Sequence, residues 1–446
     1  MVTPGWVVIK SAARKREAFG AFFWLSAFYV VYCARLEDWI PGLKYLPIPL
    51  AKTTGVLALL ALLGSLGKTK RGLRDLPPEA WYLVAMVGLL FVSAVFSPVW
   101  RGGSFFHTLD FSKVIVVWVL TFLLASDFAR LRRLVFIQSA SVALIAAVSM
   151  VLGHSHERLA GALGGIYSNP NDLAFAIALS LPFCFAFLLN ALRPLRKAIW
   201  FFFLLIMASA LLLTASRAGF VTFTVVGTLC LWHFGLKGRR FYLIGAVGFF
   251  GTILLLVAGS HLIDRWRALS GEGLDTRMES SAYGSYQERR YLISKSLEGI
   301  VHYPILGIGM HNFGNYSGKW KDVHVALLQI GVEGGIPVLI LYILFFARGF
   351  TNLKMIRRMS VLDQEMTVFA GALHSSFVGF VVGALFAPEA YQYFPYFTVA
   401  YTSVFLAILK ETENAGMAAT SVLIPSRHCT ELIGSGSRPS VLPNLR

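Results

Sequence analysis

Charge is scarce in this sequence. Only 14% of its 446 residues are Asp, Glu, Lys or Arg, and 56% are hydrophobic, with a mean hydropathy of +0.66. Soluble globular domains carry about 25% charge, so a soluble enzyme is excluded. Acidic residues are scarcer still, 23 against 40 basic ones. Cysteine is rare as well. Cys33, Cys184, Cys230 and Cys429 have neither the spacing of a disulfide framework nor that of a zinc site. No HExxH motif and no CxxC pair occurs. GSLGKT (64–69) resembles a phosphate-binding loop, but Leu62 stands where its first glycine is required. A DxD-type acidic pair is missing from every expected outer loop, so a metal has no evident ligands there.

What the sequence has is long apolar runs, roughly 17–25 residues each, the length that crosses a bilayer core as helix. Continuous runs exclude a membrane barrel, whose strands alternate in polarity. The fold class expected is an all-α polytopic integral membrane protein. About twelve spans are expected, near 19–36, 45–66, 79–97, 109–126, 134–152, 172–190, 198–215, 218–235, 241–260, 324–347, 366–386 and 394–410. The first run follows Lys10, Arg14, Lys15 and Arg16 but lacks a small-residue cleavage site, so it reads as a retained span. Residues 1–18 then form an N-terminal segment, 19–260 hold spans one to nine, and 261–323 make one long outer loop. Residues 324–410 hold spans ten to twelve, and 411–446, rich in Ser, Thr, Gly and Pro, form a flexible tail.

Basic residues cluster at 68–74, 129–133, 193–197, 237–240 and 348–358, each after an even-numbered span. The positive-inside rule places all five in the cytoplasm, with both termini inside. The net charge of +17 is therefore a topology signal. It points to anionic membrane lipids as partners, and not to nucleic acid.

Against that bias, several arginines fall on the outer side: Arg101, Arg158, Arg217, Arg265, Arg267, Arg289 and Arg290. Any one of them reads equally as an ordinary interfacial arginine. Arg217 differs, because its turn between two apolar runs is too short to carry it into water. Guanidinium favours planar, bidentate contact with phosphate or carboxylate, so the group suggests an anionic headgroup as substrate. Within the long loop, 269–287 is polar and mobile in expectation, and 288–307 reads as an amphipathic helix. Ile293, Leu297, Ile300 and Val301 share a stripe there, with Arg289 one turn earlier. Such a helix could lie on the membrane surface or pack on the bundle.

His324 begins span ten in this reading, with Leu327, Leu328, Gly331 and Gly335 on its face. Gly331 and Gly335 form a small-xxx-small pair for close helix approach. An imidazole at that position is either a general base or a hydrogen-bonded structural group. Glu333 reads as a polar anchor between helices. Asn169, Asn171 and Asp172 open span six, either as its cap or as sugar-binding groups.

TASRAGF (214–220), RRYLISKSLEGIVHYPILGIG (289–309) and HVALLQIGVEGG (324–335) resemble the three signatures of the O-antigen ligase and polymerase superfamily. These are bacterial inner-membrane glycosyltransferases of the C-type class (GT-C). GGIYSNPNDLAFAIAL (164–179) is similar to the family's fifth-to-sixth span junction. The resemblance covers roughly residues 20–410. It implies an inverting, metal-independent transfer of a glycan from undecaprenyl diphosphate to an acceptor hydroxyl in the periplasm, without a cofactor. For a ligase the acceptor is lipid A-core. A polymerase or a protein O-oligosaccharyltransferase of the same superfamily would use a different acceptor. By motif position, Arg217 and Arg289 bind the diphosphate and His324 deprotonates the acceptor. Arg290, Arg158, Arg265, Asn171 and Asp172 are further substrate-binding candidates.

Two departures from the family pattern matter. Val325 follows the histidine where the family often has Asn, and a His311-Asn312 dipeptide lies nearby. His324 is preferred because Leu327, Glu333 and Gly335 then fall at the expected offsets. A small-anion transporter or flippase is the reading from another class. Transporters place ionisable groups at the bilayer midplane, and here the span centres are nearly free of them.

Overall fold

The computed structural model describes residues 19–40, 42–45, 49–65, 69–152, 159, 167, 169–258 and 277–422. Arg158, Arg265, Arg267 and Cys429 lie outside the described residues. Among the described residues there is no strand. Thirteen helices carry the fold: α1 (Phe19–Ala34), α2 (Leu50–Gly64), α3 (Pro78–Val95), α4 (Arg101–Leu124), α5 (Phe128–Leu152), α6 (Pro170–Asn190), α7 (Pro194–Leu213), α8 (Arg217–Cys230), α9 (Tyr242–Ala258), α10 (Arg277–His302), α11 (Ala326–Ile356), α12 (Gln364–Gly383) and α13 (Tyr393–Val422).

Eight of these are long and apolar enough to cross a membrane, counting α8 with the π turn Leu231–Leu236 that continues it. The chain is an all-helical, multi-pass membrane protein. Each expected span falls on a helix, but α1, α2 and α9 have apolar stretches of only 15 residues. Twelve crossings remain a matter of how those shorter helices and α13 sit in the bilayer. Outward-facing Phe202, Leu256 and Ile340 are 65%, 80% and 51% exposed, as suits side chains that meet lipid.

Several expected boundaries need correction, for one reason: apolar runs end where charge begins, and helices do not. α4 starts at Arg101, eight residues before its expected span. α11 continues to Ile356 through residues expected to be a basic loop, and α13 reaches Val422, into the expected flexible tail. The polar helix ends find partners. Asn352 Nδ2 donates to Glu79 Oε1 at 2.7 Å, and Arg348 Nε lies 3.5 Å from Glu79 Oε2, which ties α11 to α3. Arg71, from the 68–74 cluster, is buried. Its Nε meets Glu411 Oε1 of α13 at 2.7 Å and its Nη1 donates to the Phe122 and Ala125 carbonyls. That residue is a latch between helices as well as a topology signal.

The core is aromatic. Tyr29, Phe397 and Tyr401 join α1 to α13, and Phe346, Phe377, Phe380 and Tyr396 join α11, α12 and α13. α6 packs on α12, α5, α7 and α8, so it stands at the centre of its half of the bundle. α10 belongs to a separate small core. Leu292 from α10, Ile308, Phe313, Val323 and Val332 are all fully buried together. This core fixes the second half of the long loop onto α11.

Candidate active site

The turn between α7 and α8 is built by its own side chains. Thr214 donates to the Leu211 carbonyl at 2.6 Å, and Ala215 takes a left-handed backbone (φ 48°). Ser216 then caps α8 by accepting the Gly219 N–H at 3.1 Å. Its hydroxyl donates to Asn171 Oδ1 at 2.8 Å, which pins the turn to the start of α6. Gly219 faces α6 so closely that a Cβ there would sit 2.5 Å from the Ala174 Cβ. A short turn held on three sides gives Arg217 a fixed origin. Its charge lies at a helix N-terminus, where the helix dipole disfavours a cation. Helix stability does not account for it.

Arg289 comes from α10. Burial, and next the neighbouring Arg217 guanidinium, hold its pKa below the ordinary arginine value. The two cations are therefore near enough to influence one another, and both are partly buried. Arg217 Nη1 and Arg289 Nε are buried, and neither has a hydrogen-bond partner among the described residues. Buried donors are normally satisfied, and two unsatisfied guanidinium N–H groups in one place are suited to an anion. Arg290, the alternative register, is exposed.

His324 completes the group. Burial first, then the charge of Arg289, lower its pKa below that of a free imidazole; the Asp322 backbone carbonyl and carboxylate pull the other way. Its Nδ1 lies 3.1 Å from that carbonyl. The arrangement makes Nδ1 the protonated nitrogen and leaves Nε2 with its lone pair. His324 does not lie on the helix face expected for it. α11 starts at Ala326 with Val325 as its N-cap, and His324 precedes it in a bend.

The small-xxx-small pair also needs correction. Gly331 does meet a helix, since a Cβ there would lie 3.0 Å from Ile300 of α10. Gly335 meets a loop. It breaks α11 with φ 80° and ψ 175°, and a Cβ there would sit 2.4 Å from the Ile305 carbonyl. Pro337 has no N–H for the Glu333 carbonyl four residues back. That carbonyl instead accepts Gly309 N–H at 2.9 Å and Ser93 Oγ at 2.9 Å, while Val332 O takes Ile308 N–H and Pro304 O takes Ile336 N–H. Gly307, also left-handed (φ 66°), would carry a Cβ 2.5 Å from the Glu333 backbone. The glycine pattern of residues 304–309 and the E-x-G of residues 333–335 are two sides of one contact.

Glu333 is the anchor expected, fully buried. Its carboxylate accepts Tyr391 Oη at 2.8 Å and Phe313 N–H at 3.4 Å. Asn312 is structural too, with Nδ2 donating to Ser97 Oγ and the Ile308 carbonyl, each at 2.8 Å. The His311 ring makes tilted contacts with the rings of His107 (4.6 Å) and Tyr391 (5.6 Å). The His311-Asn312 pair thus closes the loop, whereas His324 feels the charge of Arg289.

Asn169 is the cap of α6, accepting Asn171 N–H at 2.9 Å, while Asn171 serves Ser216. The side chain of Asp172 is in hydrogen-bond contact with Glu389, a buried residue between α12 and α13. Burial, and then the Asp172 charge, push Glu389 well above the usual carboxylate range. Sequence reading missed Glu389 and Asp322. Each is a single acid in a polar connection, with no spacing to mark it. Arg101 is exposed and bonds the Ser97 carbonyl at 3.3 Å.

α10 also differs from its expected form. It begins at Arg277, inside the stretch expected to be mobile. Its predicted stripe is divided: Ile300 joins Leu292 toward the small core, whereas Ile293, Leu297 and Val301 are 36%, 50% and 76% exposed.

A search of curated proteins found no match. A family model described as O-antigen ligase matches residues 201–343, a segment that holds the Arg217 turn, α10 with Arg289, the 304–309 loop and His324 through Gly335. Those signatures gather around one group of side chains, and the match over residues 201–343 supports membership of the O-antigen ligase-like superfamily.

Proposed function

We propose that this protein is an O-antigen ligase of the bacterial inner membrane, with its site facing the periplasm. It transfers a polysaccharide from undecaprenyl diphosphate to a lipid A-core sugar. One observation carries the reading: Arg217, Arg289 and His324, from three separate segments, form one electrostatically coupled group with unsatisfied guanidinium donors. The superfamily's coarse activity, glycosyl transfer from a lipid-linked donor in a membrane, agrees with that chemistry.

The steps follow from the residues. The two guanidinium groups grip the donor diphosphate. The acceptor hydroxyl attacks the anomeric carbon from the face opposite the phosphate, and the carbon–oxygen bond to the diphosphate breaks. The electron pair leaves with that oxygen, where Arg217 and Arg289 stabilise the growing charge, a large term in a site that excludes water. The hydroxyl proton passes to Nε2 of His324, which its lowered pKa keeps unprotonated at neutral pH. Displacement from the opposite face inverts the anomeric configuration. The arginines supply the charge neutralisation, so the reading requires no divalent cation.

Reconstitution with a polyprenyl-diphosphate glycan and lipid A-core tests this on a gel. A single addition to lipid A-core is expected; a ladder made without lipid A-core would identify a polymerase instead. Arg217→Ala is expected to lower transfer about 10²–10³-fold, as for loss of one transition-state donor. His324→Ala is expected to cost about 10²–10⁴-fold. Wild-type rates in both variants, with both accumulating in the membrane, refute the site.

A further inference from the structure

A second group of cations lies at the far end of α8. From Arg217 through the π turn to Leu236 the chain runs 20 residues, about 30 Å at 1.5 Å per residue. That is the thickness of a bilayer core, so the two groups lie at opposite membrane faces. A cavity of about 550 Å³ opens at this far end. His233, Lys237 and Arg240 form one wall, Arg357 at the end of α11 a second, and Gln364 and Thr367 of α12 a third.

The local sequence builds these walls. In the π turn, Lys237 N–H reaches back five residues to the Trp232 carbonyl at 2.9 Å. Such turns recur at functional sites. Gly371 lets the turn rest directly on α12, since a Cβ there would lie 3.1 Å from the Phe234 ring and 3.3 Å from the His233 Cβ. His233 Nε2 sits 3.2 Å from Arg357 Nη2 and 3.1 Å from His374 Nδ1. Arg357 donates to that nitrogen, which fixes its guanidinium at the cavity wall.

The charges here are not neutralised. On the same face Arg71 pairs with Glu411 and Arg132 with Glu365. Among the described residues no carboxylate forms an ion pair with Lys237, Arg240 or Arg357. Asp363 also lines the cavity, but its Oδ1 accepts Met366 N–H at 2.7 Å as the cap of α12. Three cations thus face a single carboxylate, Asp363, which caps α12 through Oδ1.

We propose that this cavity is a second anion site, which binds a phosphate-bearing group through Arg240, Arg357 and Lys237. Guanidinium forks match phosphate oxygens two at a time, and Lys237 adds a point charge. Gln364 and Thr367 offer neutral polar atoms to the rest of a headgroup. The phosphate belongs either to an anionic phospholipid of that leaflet or to a soluble phosphate of the adjoining compartment. The site is independent of the glycosyl-transfer reading, and its test does not involve transfer.

The full-length protein in phosphatidylcholine nanodiscs is titrated with inorganic phosphate, and a parallel set contains phosphatidylglycerol. Thermal unfolding reads stabilisation, and native mass spectrometry reads retained lipid. Wild type is expected to be stabilised in at least one arm. The variant carrying Arg240→Gln and Arg357→Gln is expected to bind at least about tenfold more weakly, as loss of charge-assisted hydrogen bonds implies. Arg357→Lys is expected to keep part of the effect. Response to phosphatidylglycerol alone assigns a lipid headgroup, and response to phosphate alone a soluble ligand. If the double variant does not accumulate, Lys237→Gln takes its place under the same criterion. Wild type and variant responding alike in both arms overturns the proposal.

Discussion

Arg217, Arg289 and His324 constrain one another through charge. Two guanidinium groups at close range repel, and a histidine beside one of them resists protonation. Such a group costs stability when empty and is relieved by a dianion. The pH dependence follows from the sign of the shift. His324 acts as a base only when unprotonated, and burial with the Arg289 charge lowers its pKa. The acidic limb of kcat/KM should therefore have its midpoint below the ordinary histidine value of about 6.5. Replacing Arg289 with Gln removes one of the two lowering causes, so the His324 pKa should rise. Histidine-selective carbon NMR against pH in both proteins checks this; an unchanged or lower value in the variant contradicts the coupling. At this scale the sequence was partly legible. Arg217 stood out because a charge in so short a turn must meet something. Glu389 and Asp322 gave no such sign, because what makes them unusual is burial and company, both of which arise only in three dimensions.

At the level of elements, the break in α11 decides where His324 and the 304–313 loop sit. Gly335, Pro337 and Gly307 act together: a left-handed residue, a missing N–H and a close backbone approach. Sequence periodicity predicts a continuous helix with two small residues on one face, because a left-handed glycine and a helical glycine are written alike. The neighbouring Pro337 was the available sign, since it removes the donor for the Glu333 carbonyl. Gly335→Ala should be severely destabilising. A Cβ at 2.4 Å from the Ile305 carbonyl, added to a left-handed backbone costing about 1–3 kcal/mol, forces the loop away. Limited proteolysis should then cut near residues 304–313 in the variant and not in wild type. A variant as resistant and as thermally stable as wild type would contradict the account.

At the scale of the whole molecule, the two proposals assign two chemistries to opposite ends of α8. The all-helical, multi-pass character was legible from apolar runs, and the likeness to the superfamily from three short motifs in order. Helix ends were not, because α11 and α13 continue past their apolar runs through Arg348 and Glu411, whose charges are met by Glu79 and Arg71. The proposed orientation rests on five basic segments of the sequence, which the positive-inside rule assigns to the face opposite the arginine pair. Single cysteines placed at Arg290 and at Arg196, both exposed, in a chain whose other cysteines are replaced, test it. A membrane-impermeant thiol reagent added outside the inner membrane should label the first and not the second. The reverse pattern would place the proposed site in the cytosol.

In the proposed mechanism the arginines hold the diphosphate and the histidine moves the proton. Binding of a polyprenyl-diphosphate glycan to purified wild type, Arg217→Ala, Arg289→Ala and His324→Ala tests it most directly. The histidine variant should bind the donor nearly as tightly as wild type while failing to transfer it, and each arginine variant should bind at least about tenfold more weakly. Arginine variants that bind like wild type, or a histidine variant that loses the donor as they do, would contradict it.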